Sequence, residues 1–169
     1  FGITADFQIV RTETEGPTKG TAFGNGRITT RNVIFTLTGE YQVAASAGSE
    51  LWAGAGARYW NVENTLSLTA GTLPAASGTV KDSWWDPVIG LRGRQAISDR
   101  GALVGWAYLG GFGAGSDFTS DLFLGYNHSF TPVTSLTAGW RYLSVDRTDG
   151  AFVYDVEQHG PVIGLTFSF

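Results

Sequence analysis

Toward the C-terminus every second residue is bulky: Pro161, Ile163, Leu165, Phe167 and Phe169 share one face of an extended chain, and Gly160, Val162, Gly164, Thr166 and Ser168 share the other. The same period of two recurs along the sequence. Ile3, Ala5, Phe7 and Ile9 oppose Thr4, Asp6 and Gln8, and Val33, Phe35, Leu37 and Tyr41 oppose Asn32, Thr36, Thr38 and Glu40. Leu51, Ala53, Ala55, Ala57 and Tyr59 oppose Trp52, Gly54, Gly56, Arg58 and Trp60. Trp85, Pro87, Ile89 and Leu91 oppose Trp84, Asp86, Gly90, Arg92 and Arg94. Leu122, Leu124, Tyr126 and Phe130 oppose Asp121, Phe123, Asn127 and Ser129, while Leu136, Ala138, Trp140 and Tyr142 oppose Thr137, Gly139 and Arg141. Successive side chains on a strand point to opposite faces, so this alternation specifies strands and not helices. Residues 102–112 alternate less cleanly; Leu103, Ala107 and Leu109 are placed on the apolar face, with Val104, Trp106 and Tyr108 opposite.

Eight strands are predicted, at roughly 2–13, 27–43, 50–62, 84–96, 102–112, 118–130, 134–146 and 152–169. The connections alternate in length. Those at 44–49, 97–101 and 131–133 are short, whereas 14–26 and 63–83 read as long loops containing Gly and Pro. Tight turns at one end and longer loops at the other suit an all-β, antiparallel, up-and-down eight-stranded barrel. No composition shift divides the chain, so residues 1–169 are expected to form one domain.

Composition narrows the setting. Only 15% of the 169 residues are charged, against about 25% in an ordinary soluble domain. Twenty-four glycines and twenty-three aromatics (Trp 6, Tyr 6, Phe 11) take their place, which excludes a disordered chain. The net charge of -4 offers no basic face for nucleic acid. With no Cys and two His there is no thiolate chemistry, and a multi-histidine metal cage is not expected; no cofactor is predicted. The uncharged stretch Gly101–Ser116 holds six glycines in sixteen residues, too short and too glycine-rich for a spanning helix of about 20 apolar residues. The chain opens from Phe1 in strand-like alternation without a basic, then apolar leader, so an exported protein is expected in its processed form.

The charges choose which face points inward. One face is almost free of them, while the other carries Asp6, Glu40, Arg58, Asp86, Arg92, Arg94, Asp121 and Arg141. An eight-stranded interior is narrow. The glycine-rich face leaves room there for arginines and tryptophans, and the apolar face is left to meet lipid. With both termini taken as periplasmic, Tyr41, Tyr126, Phe130, Phe167 and Phe169 mark one end of the apolar columns, and Tyr59, Trp85, Phe118 and Tyr142 the other. Two aromatic belts bounding an apolar band are the pattern that membrane–water interfaces favour. The reading is therefore an integral membrane barrel, closed because lipid cannot satisfy an open strand edge.

Three stretches carry a resemblance. The ending Gly164-Leu165-Thr166-Phe167-Ser168-Phe169 resembles the C-terminal aromatic signature of Gram-negative outer-membrane barrels. The runs Trp85–Arg94 and Ala138–Leu143 are similar to small proteobacterial barrels of the broad OmpA/OmpX/Ail-like superfamily. The resemblance implies an outer-membrane, porin-like location, contact with outer-membrane lipids and lipopolysaccharide, and delivery by the barrel-assembly machinery with Phe169 as its signal. No peptidoglycan-binding domain is expected after the barrel, which would set the chain apart from the anchor type of that superfamily.

Chemistry is sparse. Lipid A deacylases of similar size use a His, a Ser and an acid; here the nearest set is His128 and Ser129 with Asp155 or Glu157. Adjacent strand residues point to opposite faces, so His128 and Ser129 cannot share a proton directly. His159 with Glu157 reads better as an interfacial polar pair. Arg92-Gly93-Arg94 could bind an anion, but inward acids at similar heights favour an internal salt-bridge plug, with Glu40 and Asp6 toward Arg92 and Arg94, and Asp86 or Asp121 toward Arg58 or Arg141. Gly111–Gly115 precedes no helix, so it is a tight outer hairpin and not a phosphate loop. The expected function is a non-enzymatic, plugged outer-membrane barrel, structural or engaging an envelope partner through residues 14–26 and 63–83. A narrow channel and a lipid A-modifying enzyme remain the alternatives.

Overall fold

The computed structural model describes residues 1–150 and 152–167. It contains eight strands: β1 (Gly2–Pro17), β2 (Phe23–Ser46), β3 (Ser49–Ala70), β4 (Ala76–Ala96), β5 (Gly101–Gly111), β6 (Phe118–Thr131), β7 (Thr134–Asp149) and β8 (Phe152–Phe167). They form one sheet in chain order, β1 through β8, and the ladders from β4 to β8 are antiparallel. This is an all-β, up-and-down meander, and among the described residues no ladder joins β8 to β1, so the closed barrel expected from the sequence is reproduced only as an open sheet of eight strands. No helix is long and apolar enough to cross a membrane, which says nothing of strands.

The long loops expected at 14–26 and 63–83 are the main correction. Most of both segments is strand, and the connections shrink to 18–22 and 71–75. The Gly and Pro residues that suggested loops sit beside Thr-rich alternation, as in Thr65-Leu66-Ser67-Leu68-Thr69, and β-branched residues favour a pleated surface. Hydrogen bonds then carry pairing outward: Asn25 N donates to Thr69 Oγ1 at 2.6 Å, and Thr72 N to Thr21 O at 2.9 Å.

Contacts divide the chain into two compact units. The first comprises Phe1–Thr4, Leu37–Ala57 and Trp85–Phe169; the second comprises Ala5–Thr36 and Arg58–Trp84. Strands β1 to β4 each contribute to both, so the division follows no linker and leaves no mark in composition.

In the first unit the register keeps the apolar and the glycine-rich faces apart. Leu124 pairs with Trp140, Leu136 with Leu165 and Ala138 with Ile163 on one face; Tyr108 pairs with Gly90 and with Asp121 on the other. The apolar face is exposed, with Leu124 at 69% and Ile163 at 77%, while Glu40, Asp86, Asp121 and Phe123 opposite are buried. Glycine makes this enclosed face possible. Gly125 and Gly139 are register partners, and the Phe123 ring lies across them. A Cβ on Gly139 would come within 2.7 Å of Phe123 Cζ and 2.6 Å of Gly125 Cα. In the second unit Trp60 and Trp84, both buried, stack at 5.8 Å.

The socket under Phe123 makes a direct prediction. Gly139→Ala should destabilise the folded protein by about 1–3 kcal/mol, because the methyl overpacks against backbone as well as a ring. Gly164→Ala, with nothing within 4 Å of the added Cβ, is the control and should be neutral or slightly stabilising. Reversible urea unfolding in micelles measures both; equal midpoints would contradict the socket.

Candidate functional site

Strand β2 places Thr36, Thr38 and Glu40 on its buried side, and Glu40 is only 1% exposed. Arg92 of β4 donates to Glu40 Oε2 through Nε at 2.9 Å and Nη2 at 2.6 Å, and the Tyr108 hydroxyl of β5 donates to Oε1. The Arg92 guanidinium lies 5.5 Å from the centre of the Trp52 ring, where the ring face attracts a cation. Gly54 leaves this cluster its space: a Cβ there would sit 3.1 Å from Glu40 Cγ.

A second cluster is built on β5, β6 and β7. Arg141 donates to Asp121 through Nε to Oδ1 at 3.0 Å and Nη2 to Oδ2 at 2.7 Å, a two-point grip that fixes both planes. Trp106 Nε1 donates to the same Oδ1 at 3.0 Å. Its indole stacks on Phe123 at 4.2 Å and faces the Arg141 guanidinium at 5.3 Å.

A third cluster ties down the β5–β6 connection. Three consecutive residues, Gly111, Phe112 and Gly113, have positive φ (84°, 52° and 76°), which glycine tolerates and Phe112 does not favour. The turn drops Ser116 onto Asp86 of β4: its backbone N and Oγ donate to the carboxylate at 2.6 and 2.7 Å, and both residues are fully buried. Arg147 donates to Gly115 O and to Asp149 at 2.9 Å, and Thr148 N donates to Asp117 at 2.9 Å. The hairpin expected at Gly111–Gly115 is therefore present, but latched. Neither Ser116 nor Arg147 was among the residues singled out from sequence. Arg147 lies one residue beyond the expected end of its strand, and only the continued alternation of Leu143, Val145 and Arg147 could have signalled it.

Below the first two clusters, toward the short turns, the first unit holds a cavity of about 680 Å³. Arg92, Trp52, Trp106 and Phe123 border it on one side, and Asn127, Ser129, Ser135, Thr137 and Thr166 supply polar walls. Asn127 donates to Ser135 Oγ and Thr137 Oγ1 at 2.9 and 2.8 Å. Arg94 also lines this cavity, is exposed, and has no carboxylate partner among the described residues, so its expected pairing is corrected. The strand there ends two residues later at Ala96, and Arg94 stands over open space.

In the second unit Arg58, 1% exposed, donates from Nε to Thr36 Oγ1 at 2.8 Å and lies 5.8 Å from the Trp60 ring. Asp6 accepts from Gln8 Nε2 at 2.8 Å. Of the aromatic residues expected at the two belts, Tyr41, Trp85, Phe118, Tyr126, Phe130 and Phe167 are exposed on the apolar face, and Tyr59 and Tyr142 are half-buried. Phe169 lies outside the described residues.

The residues of the deacylase alternative do not converge. His128 sits between Tyr126 and Phe130, edge-on to the latter at 5.1 Å, while Ser129 lines the cavity on the opposite face. His159 stacks on Trp140 at 5.8 Å, and Glu157 of β8 is the register partner of Ser144 and does not lie beside His128 or Ser129. Among the described residues no group of three His, Cys, Asp or Glu could hold a metal ion. The chain matches no family model, no curated protein and no solved structure.

The Asp121–Arg141 pair is the most informative to break. Arg141→Ala should cost about 3–5 kcal/mol, since it leaves a buried carboxylate without its cation. Adding Asp121→Asn should recover much of that loss, because the stranded charge is gone. A double-mutant cycle read by urea midpoints measures the coupling; additive losses would show that the two side chains are not paired in solution.

Proposed function

We propose that this chain is a non-enzymatic, integral β-barrel of a Gram-negative outer membrane, its lumen plugged by side chains and its role structural. The observation that carries this reading is an inversion of polarity. Glu40, Asp86 and Asp121 are buried and hydrogen-bonded on one face, while Leu37, Ile89, Leu122, Leu124, Ile163 and Leu165 are exposed on the other. In water that apolar face would be an aggregation liability; against acyl chains it is the stable arrangement. On this reading β8 pairs with β1 to close the barrel, both termini are periplasmic, and Phe169 is the signal read by the assembly machinery. Outer-membrane lipids and lipopolysaccharide surround it. Contact with an envelope partner falls to the strand extensions of the second unit, since the segments once expected as loops are paired.

The reading is tested by accessibility. The chain has no Cys, so single cysteines report cleanly. Leu124→Cys and Leu165→Cys, folded into liposomes, should resist a water-soluble maleimide, while a cysteine at Lys19 should react at the rate of a free thiol. Rapid labelling of Leu124→Cys in the folded protein would place that face in water and end the membrane reading.

The plug is tested by conductance. The Arg92–Glu40–Tyr108 and Arg141–Asp121–Trp106 clusters support a closed lumen above the cavity, so the protein in planar bilayers should give no reproducible single-channel steps. Arg92→Ala should introduce small ones. Regular steps from the unaltered protein would favour the narrow-channel alternative instead.

A further inference from the structure

The outward face of the second unit changes character abruptly along β1 and β2. In β1 the outward positions run Phe7, Ile9, then Arg11, Glu13 and Glu15; in β2 they run Phe35, Val33, then Arg31 and Thr29. At this change of polarity lies a groove of about 530 Å³, lined by Ile9, Arg11, Thr29, Arg31, Glu63 and Thr65. Its charges are not balanced internally. Glu63 is held by Lys81 at 2.8 Å, and Glu15 by Arg27 at 2.8 Å. Glu13 is shared between Arg27 at 3.4 Å and Arg11 at 3.6 Å. Arg31 is exposed and has no ion-pair partner among the described residues. Four cations therefore meet three carboxylates on this face, in a chain whose net charge is -4.

From this arrangement we infer that the groove is a seat for the phosphate of an anionic lipid headgroup. Arg11 and Arg31 supply the cationic walls, the Thr29 and Thr65 hydroxyls supply donors, and Ile9 begins the apolar track along Phe7, Val33 and Phe35 that the acyl chains follow. A guanidinium suits this task because its planar fork can grip two phosphate oxygens at once. The geometry also explains the sharpness of the change. Arginines at the end of an apolar strand face stand where a bilayer turns from hydrocarbon to phosphate, and each basic side chain there adds attraction to anionic lipid. A soluble anion would satisfy the arginines but leave Ile9 and the apolar track unused, so the lipid is the occupant argued for. This inference rests on the membrane reading and adds to it one site of defined chemistry.

The full chain folded in maltoside micelles is titrated with phosphatidylglycerol, with phosphatidylcholine of the same chains, and with inorganic phosphate, following the arginine Nε–H signals by NMR. Phosphatidylglycerol should shift Arg11 and Arg31 saturably, whereas phosphatidylcholine and inorganic phosphate should leave them unchanged at the same concentrations. The Arg11→Gln/Arg31→Gln double variant should bind phosphatidylglycerol about tenfold more weakly or worse, as the loss of two interfacial cations predicts. Lys19→Gln removes a charge from the nearby connection and should leave affinity within about twofold if recognition is local rather than a matter of total charge. Heat-modifiable migration on gels verifies that each variant is folded. Equal response to both lipids, saturation by inorganic phosphate alone, or unchanged affinity in the double variant overturns the headgroup seat while leaving the barrel in place. A chain that does not take up detergent and fold overturns both readings together.

Discussion

The carboxylate of Glu40 is the point from which the curvature of the first unit follows. It is buried, and a buried charge costs several kcal/mol unless it is neutralised and its lone pairs are filled. Its partners come from two other strands: Arg92 of β4 and Tyr108 of β5. In a flat sheet neighbouring strands lie about 4.8 Å apart, so β2 and β5 would be separated by about 14 Å. Direct contact between Glu40 and Tyr108 requires the sheet to curl around the carboxylate. The Glu40–Tyr108 hydrogen bond and the curvature are thus one geometric constraint.

Glycine supplies the room that the curl removes. Where the enclosed face would be overfilled, large rings rest on bare backbone: Phe123 on Gly125 and Gly139, Tyr108 beside Gly90. This explains why a chain with twenty-four glycines runs almost wholly in strands, where glycine ordinarily weakens pairing. The aromatic rings recover in packing what those positions forgo, and they shield the Asp121–Arg141 pair, which in turn orients Trp106 through its indole N–H. Polar and apolar groups on this face form one network, so the loss of an arginine and the enlargement of a glycine act on the same structure.

How far each part was legible depended on whether its cause is local. Alternation is local, and it placed Leu124, Leu136, Leu165 and Tyr108 on the correct faces without knowledge of any partner. Charge sorting by face was legible for the same reason, which is why the Glu40–Arg92 and Asp121–Arg141 pairs could be anticipated. Strand ends were not. In residues 14–26 and 63–83 the Gly and Pro signals compete with Thr-rich alternation, and the outcome is decided by pairing between β1, β2, β3 and β4. Ser116 was equally hidden, since its role arises only when the Gly111–Gly113 turn directs it onto Asp86, thirty positions upstream.

Taken alone, the sequence determined the secondary-structure class, the number of strands, their antiparallel order and the polarity of each face, because a strand's period of two is imposed by backbone geometry on every residue independently. The tertiary structure alone decided how long the strands run, which acid meets which base, where the space left by glycine is filled, and that four continuous strands serve two compact units. Those outcomes depend on distances between residues far apart in the chain, and such distances are set by curvature and register. Arg94 and Arg92 illustrate the boundary. Two residues apart on one strand face, they look equivalent in sequence, yet curvature brings Glu40 to Arg92 and leaves Arg94 at the mouth of a cavity.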